Sequence, residues 1–208
     1  MDLEKIMSQL QNRDRNILGS ENFSKFSVLL PLLQKDDDLH ILFEVRAHHL
    51  RRQPGEICFP GGKIDKNDKN EQFTAIRETT EELGISNDLI TNVFPLDYMV
   101  SPFGSVIYPY VGVISEPDKI KPNQSEVAEI FTVPITYFQK AKPDRYKINF
   151  KINPEPNFPY ELIEGGQNYD WQTRHLDEYF YFYEDYVIWG LTARILSHFL
   201  EVVGRCEQ

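Results

Sequence analysis

The stretch RETTEELGI, residues 77–85, sets Glu78, Glu81 and Glu82 at positions i, i+3 and i+4. At 3.6 residues per turn these three carboxylates share one face of a helix. The helical pattern extends back over 71–83, with Phe73, Ile76, Thr80 and Leu83 along one side and Gly84 as its stop. Asn70 or Asp68 is placed to cap its start. Like charges at this spacing destabilise an isolated helix by about 0.2–0.5 kcal/mol per pair. A bound divalent cation gives a reason to gather them, and a set of oxygen donors suits hard Mg²⁺ or Mn²⁺. A plain solvated acidic face is the alternative. A Gly-Gly pair upstream and the short, Gly-stopped helix distinguish the segment from a long charged coil. Arg77, beside the cluster, carries a rigid fork that can fix a carboxylate or the preceding loop.

Upstream lies LFEVRAHHLRRQPGEICFPGG, residues 42–62. Arg46, Arg51 and Arg52 form a local basic excess suited to phosphates, or simply balance an acidic surface. Gly55, Gly61 and Gly62 allow tight turns or close backbone approach, Pro60 stiffens the entry, and Ile57 and Phe59 anchor the loop in the core. Before this, the runs 26–33 and 40–46 read as a hairpin turning at Asp36, Asp37 and Asp38, with Pro31 at a bulge or edge. Residues 47–70 read as a long structured loop. Downstream, 91–100 and 106–115 read as strands, 125–131 as a short helix or turn, and 179–188 as an aromatic, initially extended segment. A terminal helix starts near Val187, with Trp189 and Leu191 buried, and residues 3–11 form an N-terminal helix. Strands mixed with helices give an α+β chain with α/β/α layering. One domain over 1–208, with its core at about 25–200, fits this length.

The 13% aromatic share argues against disorder. A formal net charge of −10 disfavours nucleic acid and anionic membranes as partners. It permits a phosphorylated small molecule if a cleft or a metal ion reverses the local field. Cys58 and Cys206 form neither a ligand cluster nor a disulfide scaffold, in keeping with a reducing compartment. No signal core or membrane-length apolar run is present, so the expectation is cytoplasmic. Oligomeric state is open, a homodimer included.

Residues Gly62 through Ile85 resemble the Nudix box, with Arg77, Glu78, Glu81, Glu82, Gly84 and Ile85 at its fixed offsets. The resemblance implies the Nudix fold, an α/β/α sandwich with a mixed central sheet and a catalytic loop-helix-loop. It implies an enzyme that hydrolyses a phosphoric anhydride with Mg²⁺ or Mn²⁺. Glu78, Glu81 and Glu82 would be metal ligands, and Glu78 is alternatively the general base. In some members the base lies outside the box, so Glu126 joins Glu78 and Glu81 as a catalytic candidate, with Glu129 three positions on. Two departures stand out: Thr79 replaces the usual aliphatic residue, and the loop from Gly62 to Arg77 is one residue longer and lacks the customary Glu. Asp65 and Asp68 lie nearby as outer metal ligands or salt-bridge partners.

Arg46-Ala47, Arg51, Gly55 and Phe59-Pro60-Gly61-Gly62 are similar in type and spacing to the segment that marks coenzyme A diphosphatases among Nudix hydrolases. The implied substrate is coenzyme A or a derivative, cleaved to 3',5'-ADP and 4'-phosphopantetheine or its acyl form. Arg46, Arg51, Gly61 and Gly62 would bind it, with His48, His49 or Arg52 at the 3'-phosphate. Another nucleoside diphosphate derivative, such as ADP-ribose or NADH, is the alternative.

Overall fold

The computed structural model describes residues 2–11, 13, 14 and 16–204. In chain order the elements are α1 (Leu3–Gln11), β1 (Ser24–Lys35), β2 (Asp38–Arg46), β3 (Ile57–Cys58), β4 (Gly61–Lys63) and α2 (Glu71–Leu83). There follow β5 (Ile90–Pro95), β6 (Met99–Ser101), β7 (Ser105–Ile114), β8 (Val127–Pro134) and α3 (Ile135–Lys140). The last are β9 (Asp144–Phe150), β10 (Arg174–Tyr183), β11 (Tyr186–Trp189) and α4 (Gly190–Gly204).

The hairpin of β1 and β2 closes at Lys35↔Asp38, leaving Asp36 and Asp37 as a two-residue turn with φ of 49° and 61°. Such a turn matches the strands' twist, and Asp is among the few non-glycine residues that tolerate it. β1 is central. It runs parallel to β7 from Ser24↔Ser105 to Leu32↔Val113, and its other side pairs first with β4 and then with β2. Pro31 therefore sits neither at a bulge nor at an edge. It falls in the gap where the second partner changes from β4 to β2, so that side of the ladder is open there.

The mixed sheet is ordered β3-β2-β1-β7-β5, with β4 beside β1, β6 beside β7 and β8 beside β2, while β9, β10 and β11 form a separate antiparallel sheet. Period-2 alternation sends Leu29, Leu33 and Leu42 to one face, against Ala75 and Leu83 of α2. It sends Leu30, Ile41, Phe43 and Val45 to the other, against Phe138 of α3, Tyr181 of β10 and Ile195, Leu196 and Phe199 of α4. Helices thus cover both faces of a mixed sheet, the α/β/α sandwich expected of an α+β chain.

Helix α2 has the expected bounds, with Asn70 as its cap: Oδ1 accepts from Phe73 N at 2.8 Å. Its buried side differs from the expectation. Thr74, Ala75, Thr79, Glu82 and Leu83 face inward, and Phe73 is exposed. Thr79 is fully buried, its hydroxyl donating to Ala75 O at 2.7 Å. Residues 125–131, read as a short helix or turn, are a turn through Glu126 and strand from Val127: Val127, Phe131 and Val133 are buried at alternate positions of β8, which supplies β2 with a partner. Ile57–Cys58, within the segment read as loop, pairs with β2. The last helix starts at Gly190, and Trp189 and Leu191 are about two-fifths exposed rather than buried. α1 forms as read but buries none of its residues. Cys206 lies outside the described residues. No helix among the described residues is long and apolar enough to cross a membrane.

Candidate active site

A cleft of about 680 Å³ opens where β4, β1 and β7 meet the junction of β11 with α4. Arg46, Cys58, Gly61, Gly62, Glu82 and Glu126 contribute polar or close-packed lining. Phe26, Val28, Met99, Ile107, Trp189 and Leu191 contribute apolar lining. This explains why Trp189 and Leu191 are exposed: they are wall, not core.

Glu82 comes from the buried side of α2, and its Oε2 accepts from Gly61 N at 2.8 Å. Burial, then the negative charge of Glu44, push its carboxyl well above the ordinary range; Glu78 and Glu126 add to the effect and the Gly61 bond opposes it. Glu78 is half-buried and shifted upward by burial, with Arg77 opposing. The glycine pair permits this approach. A Cβ on Gly62 would overlap the Glu78 carboxyl, and one on Gly61 would overlap the Ser27 carbonyl and Val28 Cα. Neither residue could carry a side chain without moving its neighbour.

Arg77 organises the helix's outer rim. Its Nε and Nη2 meet both oxygens of Asp68 at 3.1 and 3.0 Å, Nη2 also reaches Glu78 at 2.8 Å, and Nη1 reaches Glu81 at 3.1 Å. Asp68 further accepts from Asp65 N at 3.0 Å and Thr74 Oγ1 at 2.8 Å. The Arg77 hydrogen bonds hold its carboxyl far below the usual range. Asp68 is thus a salt-bridge partner that ties the long loop to α2. Glu81 is largely exposed and does not line the cleft.

Arg46, at the end of β2, lines the cleft, and its Nε is buried without a hydrogen-bond partner among the described residues. Arg51 is exposed and outside the lining, whereas Arg52 is part of it. His48 and His49 are also outside it; Gly55 is packed so closely on His48 that a Cβ would lie 3.0 Å from Nδ1. Glu126 lines the cleft in the turn before β8, where Asn123 Nδ2 donates to it at 3.3 Å. Glu129 does not share its face: it accepts from Tyr186 Oη at 2.5 Å.

Several site residues escaped the sequence reading. Glu56 lines the cleft, held by Gln53 Nε2 at 2.8 Å. Glu44 is buried in β2, accepting from Cys58 Sγ at 3.3 Å, and burial raises its carboxyl above the ordinary range. Strand parity carried the signal for Glu44, because 42, 44 and 46 must face the same way.

Among the described residues no three Asp, Glu, His or Cys side chains form a ready-made metal cage. The chemistry nevertheless fits a hard divalent cation. The charges of Glu44, Glu78 and Glu126 all raise the proton affinity of Glu82, and Glu44 Oε2 is buried with no hydrogen-bond partner among the described residues. Glu82, with Glu78 and Glu126 near it, would hold such an ion.

A solved MutT/nudix family protein from Enterococcus faecalis has a similar fold, at TM-score 0.51 and 17% identity over 98% of this chain and 70% of that one. The peroxisomal coenzyme A diphosphatase NUDT7 of Mus musculus is 33% identical over 83% of this chain and 67% of its own length. The chloroplastic Nudix hydrolase 22 of Arabidopsis thaliana is 32% identical over 86% of this chain. The chain spans 55% of that plant protein. The NUDIX domain model matches residues 24–152, the span from β1 to just past β9 that holds the box, the cleft strands and Glu126. The chain belongs to the Nudix family.

Proposed function

We propose that this chain is a Mg²⁺- or Mn²⁺-dependent hydrolase of a nucleoside diphosphate derivative, and that the derivative is coenzyme A or an S-acyl form of it. The observation that carries the reading is the meeting, in one cleft, of the unpartnered Arg46 Nε with the carboxylates of Glu82 and Glu126. The relative named as a coenzyme A diphosphatase supports the choice of substrate. So does the cleft's apolar portion from Met99 to Leu191, which suits a pantetheine arm better than a second sugar.

When bound, the divalent ion supplies charge neutralisation at the diphosphate and Lewis acidity towards water. Arg46 grips a phosphate oxygen, and Arg52 meets the 3'-phosphate at the rim. Gly61 and Gly62 bring backbone close to the diphosphate, with Glu82 pinned behind them. Glu126 takes the proton from water as its oxygen bonds to phosphorus. The anhydride P–O bond then breaks, and its electron pair leaves with the other phosphate. Glu78, against Gly62, stands beside Glu82 and supports the ion, while Glu81, held by Arg77, shapes the field from outside the cleft.

Coenzyme A, acetyl-coenzyme A, ADP-ribose and NADH, each with Mg²⁺ or Mn²⁺, form the test panel, read by chromatography of the products. The coenzyme A forms should be cleaved fastest, to 3',5'-ADP and 4'-phosphopantetheine or its acyl form. Faster turnover of ADP-ribose would overturn the substrate. Glu82→Gln should lower kcat by about a hundredfold, and unchanged turnover would overturn the metal role.

A further inference from the structure

Glu44 is 1% exposed in the middle of the sheet, between β3 on one side and β8 on the other. Its neighbour on the same face, Leu42, packs with Ala75 and Leu83 of α2, so Glu44 sits one step further along, where it feels the charge of Glu82. Cys58 accounts for Oε1. Nothing among the described residues bonds Oε2. A buried acceptor left bare is expensive, and a carboxyl in this place is more so.

Two positions on, Arg46 Nε is also buried and bare. The two atoms make opposite demands and do not meet each other. Oε2 asks for a cation or a proton donor, and Nε asks for an anion or another acceptor. A cation paired with a phosphate answers both, in the order in which β2 presents them.

We propose that Glu44 Oε2 is a direct ligand of a divalent cation that it shares with Glu82, so that the cation site extends from helix α2 into strand β2. The inference rests on the metal dependence argued above and adds to it a ligand outside the Nudix box. It also accounts for the lack of a three-residue cage among the described residues. Mg²⁺ is commonly held by one or two carboxylates, with water and substrate phosphate completing its shell. Glu44 and Glu82 supply that number.

Mn²⁺ alone is the probe, titrated into the full-length protein and followed by the EPR signal of the free ion. Glu44→Gln keeps the shape and the Cys58 contact while removing the charge. Its Mn²⁺ affinity should fall at least about tenfold. Its metal-free thermal midpoint should equal or exceed that of the parent, because a buried like charge beside Glu82 has gone. Glu44→Asp, which retains the charge on a shorter arm, should bind with intermediate affinity and serves as the second variant if the first misfolds. Mn²⁺ binding by Glu44→Gln equal to the parent's, with Glu82→Gln impaired, would overturn this inference and leave the metal reading standing. No Mn²⁺ binding by the parent would overturn both. A loss of turnover with unchanged Mn²⁺ affinity would reduce Glu44 to a structural residue and overturn it as well.

Discussion

Gly61 and Gly62 are adjacent, yet replacing them should have different consequences. A methyl group on Gly61 meets backbone, the Ser27 carbonyl and Val28 Cα, neither of which can retreat without opening β1 from β4. Gly61→Ala should therefore lower the thermal midpoint. On Gly62 it meets only the tip of the Glu78 side chain, which can swing away. Gly62→Ala should fold normally and lose turnover, a separation that thermal denaturation and steady-state kinetics on one preparation will resolve. Asp68 offers a third case. Its low proton affinity in the folded state adds stability above the ordinary Asp range, and this is lost as pH falls through the folded value. Asp68→Asn should cost about 2 kcal/mol at neutral pH, with the deficit shrinking in acid. Denaturant melts at several pH values measure it.

Among the elements, α2 was the most legible in sequence. A 3.6-residue period, Asn70 before it and Gly84 after it are local signals, and each acts within a few residues. Gly84 does two jobs: its φ of 62° ends the helix, and its missing side chain leaves room for the Lys121 carbonyl. Asn70→Ala should destabilise the protein by about 1 kcal/mol through the lost cap, measurable by urea denaturation. The side of α2 that faces the core was less legible. Thr79 and Glu82 are polar, and only the sheet beneath and the demands of the site explain their burial. β8 failed for a related reason. Residues 125–131 read as a short helix or turn, but from Val127 the open side of β2 recruits the chain into the sheet, a non-local effect that outweighs weak propensity. Of the residues singled out by spacing, Glu82 and Gly62 line the cleft and Glu81 does not. Glu44 was hidden because its burial between β3 and β8 is non-local, and Trp189, read as core, is cleft wall because β11 meets α4 there.

At the scale of the whole molecule, the carboxylates impose a pH signature. Glu44 and Glu82 hold protons more tightly folded than unfolded, so the metal-free fold binds the greater number. Their contribution is complete below the unfolded carboxylate range and drains away as pH rises through the raised folded values. Thermal midpoints in a chelator should fall from roughly pH 5 to roughly pH 9, and saturating Mg²⁺ should flatten that fall by taking the place of the protons. A chelator series showing no slope would mean that neither carboxyl is protonated in the fold. The parallel ladder of β1 and β7 sets a different kind of order, one in time. Ser27 and Tyr108 bond across 81 residues of chain, so the centre of the sheet can close only after a long loop has been gathered. A nascent chain leaving a ribosome owns its acidic helix well before it owns a cleft, because the wall from Trp189 to Thr192 emerges more than a hundred residues after Leu83. Truncated products would carry the recognisable motif without Glu126 or the wall that closes the cleft.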